Sequence, residues 1–317
     1  MLAEGRFALD SAMTVTPNAV LVRPDQMHAR SRAETHALAF LARYRVPQTR
    51  ASYGLSLRQW FRWCGDNGID PLDATRAQIE IFARELEATG RKLATVASKL
   101  NALAGFYRYA VIDGVLDRDP MLDVRRPRVE RISTTQGLTR TEFADVLRIV
   151  ESRPARDHAL ICLLGLNGLR VSETCALDID DLGHHRGQRT AQLLRKGGKV
   201  QTIPMSHRTA WAVGAAIGDR TSGPVLMTRN GARLDRRGAA RIVGRVARAA
   251  GVTKRITPHS LRHTFVTMAL DSGQAERDIA ISTGHSDTRM VAYYDRGRDN
   301  ISRNSTHAVA AWIEGAI

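Results

Sequence analysis

At 317 residues the chain is longer than a typical single domain, and with 43% hydrophobic residues it can fill two separate cores. Lys and Arg number 47 against 32 Asp and Glu, giving a net charge of +15 and a pI of about 10.7, which favours a polyanionic partner, nucleic acid first. No apolar run approaches the roughly 20 residues that span a bilayer, the arginines are scattered instead of lining one amphipathic helix, and residues 1–10 mix Glu4, Arg6 and Asp10 into their apolar residues. Membrane-spanning, membrane-surface and signal-peptide readings are therefore set aside, and a cytoplasmic, nucleoid-associated protein is expected. Cys64, Cys162 and Cys175 have no C-x-x-C spacing and read as buried, reduced thiols.

In chain order, residues 1–30 lack periodicity, contain Pro17 and Pro24, and read as a flexible N-terminal extension. A helix is predicted over 31–44 from Ala37, Leu38, Phe40 and Leu41, with Pro47 interrupting it. A second carries Tyr53, Leu57, Trp60, Phe61 and Cys64 and stops at Asp66-Asn67-Gly68. Thr75 and Gln78 have the form of a capping box ahead of a third helix with Ile79, Phe82 and Leu86 on one face, and a fourth runs over about 93–112. These four fit a small helical bundle, domain 31–127, closed by Asp119-Pro120. The charged, proline-containing stretch around 125–131 leads into an exposed linker, 128–137.

A second domain, 138–317, opens with Thr139 or Thr141 as helix cap and Phe143, Val146, Leu147 and Val150 as the apolar face, and continues with a helix from near Asp157. Residues 190–205 read as a β-hairpin turning at Gly197-Gly198, with Lys196 on its tip, and His184-His185 as an exposed loop pair. Further helices are predicted over 238–250 and 260–272, with others around Gly284-His285 and Tyr294. The C-terminal segment 307–317, with Val309, Trp312 and Ile313 apolar, either packs on its own domain or docks on a neighbouring subunit. The fold class is mainly α, a helical domain and then a mostly α domain with a small β-sheet.

The chemistry lies in the second half. His259-Ser260-Leu261-Arg262 supplies a planar cation that fits phosphate oxygens and a side chain that exchanges protons near neutrality. Gly284-His285 adds a second such imidazole, and Tyr293-Tyr294 a hydroxyl able to attack phosphorus. Upstream stands Gly168-Leu169-Arg170-Val171-Ser172-Glu173, then Lys196-Gly197-Gly198-Lys199. A zinc site from His259, His263 and His285 is disfavoured because no H-E-x-x-H pattern accompanies them, so neither metal nor cofactor is expected.

In order and spacing, with Tyr294 nine residues after His285, these motifs resemble the site of the tyrosine recombinases, the phage integrase family. The resemblance extends over about residues 33–300, though only the second half carries specific motifs. It implies a SAM-like core-binding domain and then a catalytic domain, together forming a C-shaped clamp round double-stranded DNA. Its implied catalytic set is Arg170, Lys196, His259, Arg262, His285 and the nucleophile Tyr294, with Glu173 as a supporting residue that orients the site. It further implies a homo-tetramer on DNA, or a hetero-tetramer with a related recombinase, serving integration, excision or resolution of mobile DNA. Tyr293 is the competing nucleophile, since adjacent helical residues point about 100° apart. Thr174 departs from the family's usual Leu after the glutamate. Two other readings stay open, a non-cleaving architectural DNA-binding protein and a relaxase resembling type IB topoisomerases.

Overall fold

Several helix starts in this chain coincide with side chains that satisfy the first free N–H groups. The computed structural model describes residues 31–129, 136–195, 198–285, 288, 291 and 305–314, and the chain divides into two compact units, Met1–Glu130 and Arg131–Ile317. In the first unit, Ser31 and Glu34 form a reciprocal capping box ahead of α1 (Arg32–Ala42), and Thr75 and Gln78 do the same for α3 (Arg76–Ala88). Pro47 does not interrupt a helix but opens α2 (Pro47–Asp66), at a position where the missing N–H costs no hydrogen bond. The last of the four is α4 (Leu93–Ile112).

Their shared core is aromatic, with Phe40, Trp60, Phe61, Phe82, Phe106 and Tyr107 buried. Tyr107 stays paired there: its hydroxyl accepts from Trp60 Nε1 at 2.9 Å and donates to the Pro71 carbonyl at 2.7 Å. The packing also continues past Pro120, where the sequence suggested closure, because Met121 and Val124 are buried in the same cluster.

In the second unit, Thr139 rather than Thr141 caps α5 (Arg140–Glu151), boxed with Glu142. At the centre lies α6 (Ala155–Gly165), whose residues from Asp157 onward are all buried. Asp157 is held there by ion pairs to Arg156 and Arg245 at 2.7 and 3.2 Å. A short α7 (Val171–Ala176) leads to an antiparallel sheet of β1 (Leu182–His185), β2 (Gln188–Leu194) and β3 (Val200–Pro204) in that order. His184 and His185 are thus strand residues, not a loop pair. They face Arg189 and Gln188 across a two-residue turn in which Arg186 and Gly187 both have positive φ, +47° and +78°.

Helices α8 (His207–Ile217), α9 (Arg236–Ala249), α10 (Pro258–Asp271) and α11 (Glu276–Thr283) complete the body described, and α12 (Ser305–Glu314) lies near the C-terminus with Val309 and Ile313 exposed. The architecture is mainly helical with one small sheet. Burial pushes the Cys64 thiol up to about 12 and those of Cys162 and Cys175 to about 11, so all three stay protonated and unreactive at neutral pH. Among the described residues no helix is long and apolar enough to cross a membrane.

Candidate active site

Gly168 sets the first piece of the site. Its φ is +63°, and a Cβ there would run into the Phe265 ring of α10, so only glycine lets the chain pass this close to the helix. Two residues on, Arg170 stands at the N-cap of α7 and forms a box with Glu173: its N–H donates to Glu173 Oε2 and its Nη1 to Oε1, both at 2.8 Å. The fully buried Thr174 hydroxyl donates to the Arg170 carbonyl at 3.1 Å, which gives this departure from the family pattern a local bond of its own.

A second piece comes from α10, where Thr257 caps the helix and Pro258 occupies its first turn. His259 is exposed on that turn, while Arg262, one turn further in, is 3% exposed. Its fork donates to the Gly168 carbonyl at 2.5 Å, the Thr283 carbonyl at 2.6 Å and His285 Nε2 at 2.9 Å, so one side chain ties together three chain segments.

The third piece is the end of α11. A helix C-terminus presents unpaired carbonyls and partial negative charge. Here guanidinium groups from three elements meet them: Arg170 reaches Gly284 O at 3.0 Å, Arg262 reaches Thr283 O, and Arg195 reaches Ser282 O at 3.0 Å and Thr283 O at 3.2 Å. Gly284 ends the helix in the left-handed region, φ +63°, and a Cβ on it would meet Arg195 Cζ at 2.9 Å.

Burial is the largest influence on the Glu173 carboxyl and works upward, but hydrogen bonds from Arg170 and the charges of Arg195 and Arg170 together outweigh it and leave its pKa lowered. Burial first, then the charges of Arg262, Arg170 and Arg195, bring His285 down to about 4, so its ring is neutral at pH 7. A guanidinium cannot accept a hydrogen bond, so Nε2 is the acceptor and the proton sits on Nδ1. Nδ1 lies 3.0 Å from Thr283 Oγ1, which in turn donates to the Ile279 carbonyl at 2.6 Å. His259 keeps an exposed edge, yet partial desolvation and then the Arg262 charge lower its pKa as well.

These shifts have a stability consequence with a definite sign. Unfolded histidines titrate near 6.5, whereas His285 in the native state titrates near 4. Between those values the unfolded chain takes up protons that the native state refuses. Stability is therefore full above pH 6.5 and falls as pH drops toward 4, with His36, His158 and His259 shifted in the same direction. Urea unfolding at pH 7.5 and pH 5 should show the lower midpoint at pH 5, and equal midpoints would refute the neutral, buried ring.

Of the residues singled out from the sequence, Arg170, Glu173, Arg262 and His285 meet in one hydrogen-bonded cluster, with His259 beside it on the Arg262 helix. Lys196, Tyr293 and Tyr294 lie outside the described residues. Among the described residues no group of three His, Cys, Asp or Glu is placed to hold a metal ion. Sequence reading missed Arg195, which is 7% exposed, pairs with Glu173 Oε2 at 2.8 Å and takes Gln201 Oε1 as a further acceptor at 3.1 Å. Two signals were available: strand alternation through Leu193 and Leu194 turns residue 195 inward, and a buried glutamate has room for a second cation.

Fold and cluster together define a two-unit helical protein whose second unit gathers arginines round an imidazole, a set suited to gripping a phosphate. Residues 136–300 match the phage integrase family, and residues 38–114 match its N-terminal SAM-like domain. A tyrosine recombinase XerC of Mycobacterium sp. (strain KMS) is 30% identical over 272 residues, 80% of this chain and 89% of the relative. A tyrosine recombinase XerD of Listeria monocytogenes serotype 4b (strain F2365) is 29% identical over 241 residues, 71% of this chain and 79% of the relative. In fold the chain is similar to a lambda integrase dimer bound to a COC′ core site, with TM-score 0.69, 18% identity and coverage of 84% of this chain and 77% of that one. It is also similar to XerH site-specific recombinase bound to palindromic difH substrate, with TM-score 0.68, 17% identity and coverage of 89% and 85%. The chain belongs to the phage integrase family, the tyrosine recombinases, enzymes that cleave and rejoin DNA strands.

Proposed function

We propose that this enzyme recombines DNA at a specific site, cutting one strand at a time through a 3′-phosphotyrosine on Tyr294 and passing the cut end to a partner strand. The observation that carries the reading is the meeting of Arg170 and Arg262 on consecutive carbonyls, Gly284 O and Thr283 O. Two guanidinium groups held side by side can take the nonbridging oxygens of one phosphodiester and offset the charge that grows in a pentacoordinate transition state. Neutral His285 adds a hydrogen-bonding ring, His259 a site for the tyrosine proton, and Lys196 a proton for the departing 5′ oxygen. Because the phosphotyrosine conserves the bond energy, resealing needs no nucleotide.

Double-stranded DNA is the substrate and partner. The net charge of +15 supports this, as do Arg237, Arg241 and Arg248, exposed on the face of α9 opposite its buried Ile242, Val243 and Val246, and Arg236, exposed at the start of that helix. The helical unit 31–127 and the catalytic unit 138–317 each supply part of the grip, the working form is a tetramer on two sites, and its place is the cytoplasm, on the nucleoid.

The test is a nicked duplex carrying the crossover site, found in DNA flanking the gene and incubated without metal or nucleotide beside Tyr294→Phe. A covalent adduct that maps to Tyr294 by peptide mass is the expected result. Mapping to Tyr293 would reassign the nucleophile. No adduct on specifically bound DNA would favour the architectural reading, and supercoil relaxation without recombinant product the relaxase.

A further inference from the structure

Arg195 closes the base of the β2–β3 turn, its N–H donating to the Lys199 carbonyl at 2.8 Å and its own carbonyl accepting from Gly198 N at 3.2 Å. From that position its side chain spans acceptors on three elements: Gln201 on β3, Glu173 on α7, and the carbonyls of Ser282 and Thr283 at the end of α11. Gln201 adds a second tie from the hairpin, donating to the Ile281 carbonyl at 3.0 Å. The hairpin is therefore pinned to the same helix end that holds Arg170 and Arg262, and through Glu173 to Arg170 itself. Without these ties the ends of β2 and β3 would be free to move relative to those arginines.

We propose that Arg195 is a positioning residue for strand cleavage, fixing the ends of β2 and β3 on the end of α11 and so supporting the proton transfer to the departing oxygen that is assigned to Lys196. The idea rests on the reading of Lys196 as proton donor. In the cleavage step the tyrosine oxygen bonds to phosphorus and its proton passes to a histidine of the site. The bond from phosphorus to the 5′ oxygen breaks, that oxygen keeps the electron pair, and it takes a proton from the lysine ammonium. An alcohol needs that proton, because alkoxide, like hydroxide, is far too basic to leave readily at neutral pH. A thiol, with a pKa of about 8.5, departs as thiolate without it.

Oxygen and sulfur leaving groups therefore provide the test. Full-length wild type, Arg195→Lys, Gln201→Ala and Lys196→Ala are each given the nicked duplex with either oxygen or sulfur at the bridging 5′ position, and the rate of covalent adduct formation is measured. Arg195→Lys keeps the positive charge beside Glu173 but not the fork, and should slow the oxygen substrate about 10²-fold while leaving the sulfur substrate within about threefold of wild type. Gln201→Ala, which removes only a half-buried tie, should shift the same ratio less and serves as the test if Arg195→Lys does not fold. Equal slowing on both substrates, or no slowing, would overturn the role of Arg195 while Lys196→Ala still shows sulfur rescue. If Lys196→Ala itself gains nothing from sulfur, the reading of Lys196 fails and the proposal falls with it.

Discussion

Arg262→Gln should slow covalent adduct formation by about 10³-fold, the order seen when a preorganised donor to a developing oxyanion is lost, while specific DNA binding changes little because one contact among many phosphate contacts disappears. Arg262 is nearly inaccessible and its fork is anchored on Gly168 O and Thr283 O, so it has no freedom to wander from the place where a phosphate would sit. Glutamine keeps part of the shape and one N–H donor group but not the charge. Arg262→Lys keeps the charge yet cannot reproduce a planar fork toward three acceptors, and a loss nearly as large is expected from it. The two variants separate at His285. Removing the Arg262 charge in the glutamine variant takes away the strongest nearby cation holding that ring down, so the His285 pKa should rise from about 4 toward its ordinary value, whereas the lysine variant should leave it low. Titration of the ring by NMR reads this directly. Adduct formation within tenfold of wild type in a folded Arg262→Gln protein would remove Arg262 from the chemistry.

Most helices were legible because their signals are local. Ser31, Thr75, Thr139 and Thr257 each cap the helix that begins beside them, and apolar residues recur at helical spacing. Strand β1 was not, because its four residues end in two histidines and its partner is chosen by the turn at Arg186 and Gly187, not by an apolar run. Pro47 misled for a related reason: a proline reads as a break unless one knows that the helix begins on it. In the candidate site, Arg170, Glu173, Arg262 and His285 stood out as motif residues, but nothing in the motif says that α11 ends on a crown of carbonyls shared by three arginines. Arg195 belongs to that crown and was passed over beside Lys196. Its importance lies in acceptors 22 to 88 residues away in sequence, which no local pattern reports.

Glu173→Ala should destabilise the second unit by about 3 kcal/mol or more, the usual cost of leaving a buried charge without its partner, equivalent to a melting temperature lower by on the order of 10 °C in a unit of this size. The carboxylate, 8% exposed, is the only anion that the structure places against either Arg170 or Arg195 among the described residues, and it also receives the N–H that starts α7. Arg195 retains the carbonyls of Ser282 and Thr283 after the substitution, which keeps the loss near the lower end of that range. Glu173→Gln keeps an acceptor and the side-chain volume and should cost less, about 1–3 kcal/mol. The pH dependence identifies the charge as the cause. A carboxylate whose native pKa is lowered stabilises the fold fully above its unfolded pKa, about 4.3, and loses that contribution as pH falls through the native value. The gap in unfolding free energy between wild type and Glu173→Gln should therefore be widest at neutral pH and narrow below pH 4, with the histidine effects common to both proteins cancelling in the difference. A gap that stays constant from pH 7 to pH 3 would mean that Glu173 acts through its shape and hydrogen bonds alone. The two arginines would then be held in place by the carbonyls of α11 without help from an anionic brace.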